Sequence, residues 1–321
     1  MNLTVNGASN ATADVMSRAD VFAIDARTVG RLKQQVVAKM PDRPASFRTI
    51  DQPYVYLVGP QDELRVTVFE HPELTNPSGT ANELVGRVVN NDGKFFFPYV
   101  GQVQAAGRSV QDIQQTIAQG LTRVLKTPQV DVAVFKFRSQ RVVVSGEVKT
   151  PQTVPITDVP PTLSEVISQA GGLTTEADLG NVTVTRAGAT TRVDMYAYYY
   201  QAELGQNFLL QHGDVVQVPD RRYNKVFVLG EVGRPNSLVM PRGRFSLAEA
   251  LSDSGGVNPF SGNAGQIYVI RNSGTNGGAK PQIYHLDAAS PAALLLAEQF
   301  DMRSRDVVYV DAVGVVRWAR V

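Results

Sequence analysis

Apolar residues along the chain alternate between a period of two and a period near 3.6, and one ordering of these periods occurs twice. Segment 141–172 opens on RVVVSGEV, passes a Pro-rich turn and continues as TLSEVISQAGG. Segment 225–256 opens on KVFVLGEV and continues, after its own turn, as FSLAEALSDSGG. Gly146 matches Gly230, Leu163 matches Leu247 and Gly171 matches Gly255, each pair 84 residues apart. A constant offset predicts a duplicated unit with no net insertion. The period is too long for a solenoid repeat and suits a small duplicated domain.

The unit reads as strand, turn, short helix, strand. Val142, Val143 and Val144, like Val226, Phe227 and Val228, form β-branched or aromatic runs ended by glycine. Thr162 with Glu165, and Ser246 with Glu249, fit the capping box that satisfies orphan amides in a first helical turn. Leu163, Val166, Ile167 and Ala170 follow at helical spacing, as do Leu247, Ala250 and Leu251, and a Gly-Gly pair supplies the left-handed stop. A further strand follows in each copy, over Val182–Arg186 and over 267–271.

Upstream, residues 1–20 are polar, and Asp25 is placed to cap a helix running through Val37. After Pro41 and Pro44, segment 54–69 sets a Gly-Pro turn before Leu64, Val66 and Val68, the alternation of a half-buried strand. Residues 76–84 read as a polar loop. Segments 85–89 and 95–103 are expected to pair around Asn91, Asp92 and Gly93, because Asp-Gly favours hairpins. Ser109 then caps the strongest helical pattern, with Val110, Ile113, Ile117, Leu121 and Val124 on one face. Gln129 to Phe137 alternates as a strand. The predicted class is α+β, three small modules in series: an N-terminal segment over 1–50, modules at 51–139, 140–222 and 223–312, and a tail at 313–321.

Composition narrows the function. The 321 residues are 43% hydrophobic and 19% charged, which suits folded domains, and a net charge of +1 gives no electrostatic footprint for nucleic acid. There is no cysteine, so disulfides and thiolate sites are excluded. The longest aliphatic run, 292–297, is too short to span a bilayer, and the chain as it stands reads as soluble.

No catalytic, cofactor or metal site emerges. His71, His212 and His285 fit no metal-ligand spacing, and no Walker A, G-x-G-x-x-G or G-x-S-x-G pattern occurs. The Gly-rich stretch 274–278 lies between strand-like segments and reads as a hairpin loop. Glu147 and Glu231 tempt as glycosidase acids because GEV is duplicated, but equivalent positions in two domains make two single acids. Tyr196, Tyr198, Tyr199 and Tyr200 could stack on sugars, although such clusters more often pack between elements. Asp62, Asp214 and Asp306 each precede an apolar strand ending in Val, and read as one loop-to-strand device in which the acid binds nearby amides.

YLVGPQDELRVTVFEHPELT, with NNDGKFFFPYVGQVQAAGRSVQDIQQTIAQGL after it, resembles the polysaccharide export domain of the Wza-type outer-membrane translocons, and the two repeats resemble the β-grasp-like SLBB domains that follow it there. The likeness runs from about Val21 to Val321 in domain order. It implies a Gram-negative lipoprotein of the periplasm and outer membrane that assembles as a homo-oligomeric ring, octameric in the Wza branch. The export domains would form the base and the SLBB domains would stack above it around a water-filled cavity. Capsular polysaccharide or exopolysaccharide would be the cargo. An inner-membrane polysaccharide co-polymerase, often a tyrosine autokinase, would dock below. The family's lipid-bearing cysteine is missing, and its C-terminal membrane helix would begin at Arg317, Trp318, Ala319, Arg320 and Val321, so the lipid anchor and outer pore are expected to be absent from this form. Loop 76–84 stands where the family narrows its base and carries no aromatic residue. The function expected is a non-catalytic export component. The rivals are a periplasmic glycan-binding module that forms no channel, and a carbohydrate-active enzyme using Glu147 or Glu231.

Overall fold

The computed structural model describes residues 20–38, 54–75, 86–241, 244–272 and 280–314. Loop 76–84, stretch 274–278, the polar residues 1–19 and tail residues 315–321 lie outside the described residues. The architecture is α+β modules in series. The chain divides into two compact units: one holds Arg43–Thr175 and Asn181–Pro219, the other Met1–Asp42, Glu176–Gly180 and Asp220–Val321.

The N-terminal segment holds strand β1 (Asp20–Ala23) and helix α1 (Ala26–Ala38). Asp25 caps α1, its carboxylate accepting from the Thr28 amide at 2.7 Å. The sequence reading gives this segment a helix alone; four residues of strand are too few to show a period.

The first unit opens on strand β2 (Glu63–Val68) and a short helix α2 (Pro72–Thr75). Strands β3 (Arg87–Val88), β4 (Lys94–Phe97) and β5 (Gly101–Gln104) follow, then helix α3 (Val110–Leu121) and strand β6 (Val130–Lys136). The expected hairpin around Asn91, Asp92 and Gly93 is corrected. β3 pairs with β2, and segment 95–103 folds back on itself as the β4–β5 ribbon. Pro98 lacks a ladder donor, while Tyr99 (φ 62°) and Gly101 (φ 86°) take left-handed conformations that reverse the chain there. The Asp-Gly turn survives without a ladder: the Asn90 amide donates to the Lys94 carbonyl at 2.8 Å.

α3 begins with a full capping box between Ser109 and Asp112. It buries Ile113, Ile117 and Leu121 against Leu64, Val66, Phe95, Phe97 and Val132. Val124 falls beyond the helix end and is exposed, so it does not share that face. Hydrogen bonds from the Ser109 hydroxyl and amide hold the Asp112 carboxyl below the usual range. A depressed folded-state value stabilises fully above the ordinary carboxylate value, and that contribution is lost as pH falls through the lower one. Asp112→Asn is therefore expected to remove an acid-side step from a pH series of unfolding curves; an unchanged series would contradict it.

The first repeat holds β7 (Arg141–Gly146), β8 (Gln152–Pro155), helix α4 (Leu163–Gln169), β9 (Val182–Arg186), β10 (Ala189–Val193), helix α5 (Met195–Gln201) and β11 (Val215–Val218). Its sheet runs β10-β9-β11-β7-β8, with β11 parallel to β7 and the remaining pairs antiparallel. The second repeat holds β12 (Lys225–Gly230), β13 (Asn236–Val239), helix α6 (Leu247–Asp253), β14 (Gly262–Arg271), β15 (Gln282–Leu286), helix α7 (Pro291–Gln299) and β16 (Val307–Ala312). Its sheet runs β15-β14-β16-β12-β13, the same order, extended at the β15 edge by parallel addition of β1. Both predicted capping boxes form, each contributing about 1 kcal/mol.

One face of the second sheet carries Val226, Val228, Ile267, Val269, Tyr284, Val308 and Val310, all buried. Helices α6 and α7 cover this face with Leu247, Ala250, Ala293 and Ala297, and α1 adds Val29. On the opposite face Leu229, Ile270 and Tyr309 are exposed. Among the described residues no helix is long and apolar enough to cross a membrane.

Candidate functional site

The acids singled out by sequence are the natural starting point. Asp62, Asp214 and Asp306 are fully buried, and each accepts from a backbone amide three residues upstream: Gly59 at 2.9 Å, Gln211 at 2.8 Å and Arg303 at 2.8 Å. In both repeats the carboxylate also receives an arginine from the neighbouring strand. Arg186 donates through Nε at 2.9 Å and Nη2 at 2.7 Å to Asp214. Arg271 does the same to Asp306, with Nε at 3.0 Å and Nη2 at 2.6 Å. Each arginine sends a further hydrogen bond to a loop carbonyl, Leu209 in one repeat and Asp301 in the other. Each also lies over a phenylalanine ring, Phe208 or Phe300. The bidentate fork and the carbonyl engage the Nε and Nη2 donors, and the ring lies against the guanidinium.

These arginines escaped the sequence reading. The available signal was that both strands after the Gly-Gly stop end in arginine, at Arg186 and Arg271. Asp62 has no arginine. It instead accepts from the Arg138 and Ser139 amides, both at 2.8 Å, and from the hydroxyls of Ser139 and Tyr56. Burial pushes the Tyr56 hydroxyl far above the ordinary tyrosine range, and the Asp62 carboxylate adds to the shift, so this group stays a donor.

The duplicated GEV glutamates take equivalent positions, one in each repeat. Glu147 accepts from the Thr174 hydroxyl at 2.6 Å, and Glu231 from the Ser261 hydroxyl at 2.5 Å. Each sits on a turn in its own repeat, in the place a strand-end glutamate takes when it fastens a loop. The histidines are equally local. His71 meets Glu73, His212 accepts from the Arg141 amide, and His285 meets the Gly265 carbonyl while its ring lies 5.1 Å from that of Tyr268. No cluster of three metal-ligating side chains occurs among the described residues.

The tyrosine run forms α5, capped by Asp194. Tyr196 stacks toward Tyr200 at 4.9 Å and Tyr198 meets Tyr199 edge-on at 5.1 Å, leaving Tyr199 and Tyr200 exposed. A hollow of about 260 Å³ runs along α3, lined by Arg108, Asp112, Gln115, Thr116 and Gln119. Such amide, hydroxyl and charged groups can hydrogen-bond a polyol.

Known proteins match this arrangement. The family model for polysaccharide biosynthesis/export protein matches residues 50–135, and the SLBB domain model matches residues 140–218 and 224–310. The chain is 43% identical over 281 residues to the EPS I polysaccharide export outer membrane protein EpsA of Ralstonia nicotianae, covering 83% of this chain and 73% of that protein. It is 26% identical to the capsule polysaccharide export protein BexD of Haemophilus influenzae, covering 80% and 71%. It is 25% identical to the Vi polysaccharide export protein VexA/TviF of Salmonella typhi, covering 77% and 70%. An export module followed by two SLBB repeats, with identity at this level across most of both chains, places this protein in the family of outer-membrane polysaccharide export proteins.

Proposed function

We propose that this chain is the periplasmic portion of an outer-membrane assembly through which capsular polysaccharide or exopolysaccharide leaves a Gram-negative cell, without making or breaking bonds in its cargo. The observation that carries this reading is the 43% identity, over 83% of the chain, to an exopolysaccharide export outer membrane protein. The polar chemistry supports it: the acids that could serve catalysis each fasten a loop within one module. A sliding polymer needs many weak, similar contacts rather than one tight site. The working form is a ring of identical subunits, eight in number, carried on a lipid anchor in the outer membrane. An inner-membrane polysaccharide co-polymerase meets its base.

Deletion of the gene is expected to abolish surface polysaccharide, and the wild-type protein is expected to restore it. Glu147→Gln and Glu231→Gln proteins should restore it equally. Export that continues unchanged without the protein would overturn the proposal, and folded glutamate variants that fail to restore it would point to the enzyme reading. A persistent monomer that binds oligosaccharide saturably would make the chain a binding module instead.

A further inference from the structure

The two repeats share one sheet order, and their buried faces match: Val142 and Val144 in the first stand where Val226 and Val228 stand in the second. Their outward faces do not match. Across the first sheet, one register row reads Ser145, Gln217, Thr183 and Arg192. The same row of the second reads Leu229, Tyr309, Tyr268 and His285. The next row of the second sheet is Phe227, Val307, Ile270 and Ile283, and Val21 of β1 prolongs it. At five of the eight positions in these two rows a hydroxyl or amide of the first repeat is replaced by an aliphatic or aromatic group in the second, while Val143 and Val215 already stand where Phe227 and Val307 stand. Leu229 is 44% exposed, Tyr309 42% and Val21 43%.

The patch crosses five strands at a spacing of about 4.8 Å and is two rows deep, on the order of 350 Å². That is the size of the apolar centre of a standard interface of about 800 Å² per partner. A second unpartnered apolar surface lies at the opposite pole of the same unit. Helix α7 turns Ala293 and Ala297 into the core and presents Leu294 and Leu295 outward, the latter 68% exposed. Arg305 stacks over Phe227 at 5.7 Å on the sheet face and forms no ion pair among the described residues, with Lys225 beside it. Glu298, one helical turn from the two leucines and half exposed, is held within the unit by Arg244 at 3.3 Å and by the Ser246 hydroxyl at 2.9 Å.

We propose that the outward sheet face of the second repeat receives α7 of another copy of the chain, Leu294 and Leu295 seating on the Phe227–Val307–Ile270 row. Because the two patches occupy opposite poles, the contact is heterologous: each copy offers its sheet to one neighbour and its helix to the next. Such a contact closes as a ring or runs on as a filament, and cannot stop at a symmetric dimer. This rests on the ring of the proposed function and names the surfaces that would form it.

The cysteine-free chain allows a direct test by disulfide trapping in the full-length protein. Tyr309→Cys and Leu295→Cys proteins, each alone, are expected to give little crosslinked product, and an equimolar mixture should give at least tenfold more dimer. The Tyr309→Cys/Leu295→Cys double variant should give a ladder ending at a discrete closed species. Leu295→Glu should lower the mass seen by light scattering while leaving the circular dichroism spectrum unchanged. Efficient self-crosslinking of Tyr309→Cys would overturn the proposal in favour of a symmetric pair of sheets. Rings that persist by electron microscopy while the mixture fails to crosslink would overturn this interface and leave the ring standing. Oligosaccharide that quenches tyrosine fluorescence of a monomer giving no mixed crosslink would assign the face to glycan.

Discussion

Gly230→Ala is expected to lose about 2–6 kcal/mol of stability, and Gly146→Ala to lose the same in the first repeat. Both glycines end the strand that opens a repeat, at φ 86°. A Cβ on Gly146 would stand 2.0 Å from the Val218 carbonyl oxygen, and one on Gly230 would stand 2.1 Å from that of Val310. Left-handed strain accounts for about 1–3 kcal/mol. Forcing the parallel strand away adds about 1–3 kcal/mol more, because the obstructing atom is backbone and cannot rotate aside. The same oxygens accept from the amides of Glu147 and Glu231, so displacement also breaks the bond that starts each GEV turn. Gly172 and Gly256 are the controls. They too have positive φ, but a Cβ there meets nothing within 4 Å, so alanine should cost only the conformational strain of about 1–2 kcal/mol. Urea unfolding of the four variants checks the ordering; equal losses at Gly230 and Gly256 would contradict it.

Arg271→Met should be comparably damaging for a different reason. It leaves the Asp306 carboxylate buried with the Arg303 amide as its remaining donor, at a cost of about 3–5 kcal/mol. Arg186→Met does the same to Asp214, which keeps the Gln211 amide. The Arg271→Met/Asp306→Leu double variant is expected to recover a substantial part of the loss, since the stranded charge is gone. Amide hydrogen exchange should place the single-variant loss in β14 and β16, with the other unit retaining its protection. A single-variant loss below about 1 kcal/mol would mean that water reaches Asp306.

Much of this fold was legible because each repeat is locally consistent. Capping residues, apolar spacing and stop glycines all specify the same short helix, and a second copy 84 residues on repeats the message. What escaped the sequence is what depends on neighbours in space. The Arg186–Asp214 and Arg271–Asp306 pairs form because β9 lies beside β11 and β14 beside β16, an adjacency no local period encodes. The β4–β5 ribbon displaced the expected hairpin because Pro98 and Tyr99 offered a sharper reversal than Asp92 and Gly93. The outward face of the second sheet was visible as alternation but not as a patch, since Leu229, Tyr309 and Tyr268 become neighbours only through strand order.

Strand β1 seals the edge of a sheet whose adjoining strand is synthesised roughly 260 residues later. For a flexible chain, joining ends that far apart costs about 2 kcal/mol more than joining ends thirty residues apart. Until β15 exists, the early strand has nowhere native to go. Until β1 arrives, β15 presents a row of open amides and carbonyls, the kind of border along which chains aggregate. The second repeat is thus finished by a strand made long before it, and its sheet keeps a vulnerable margin until the two meet.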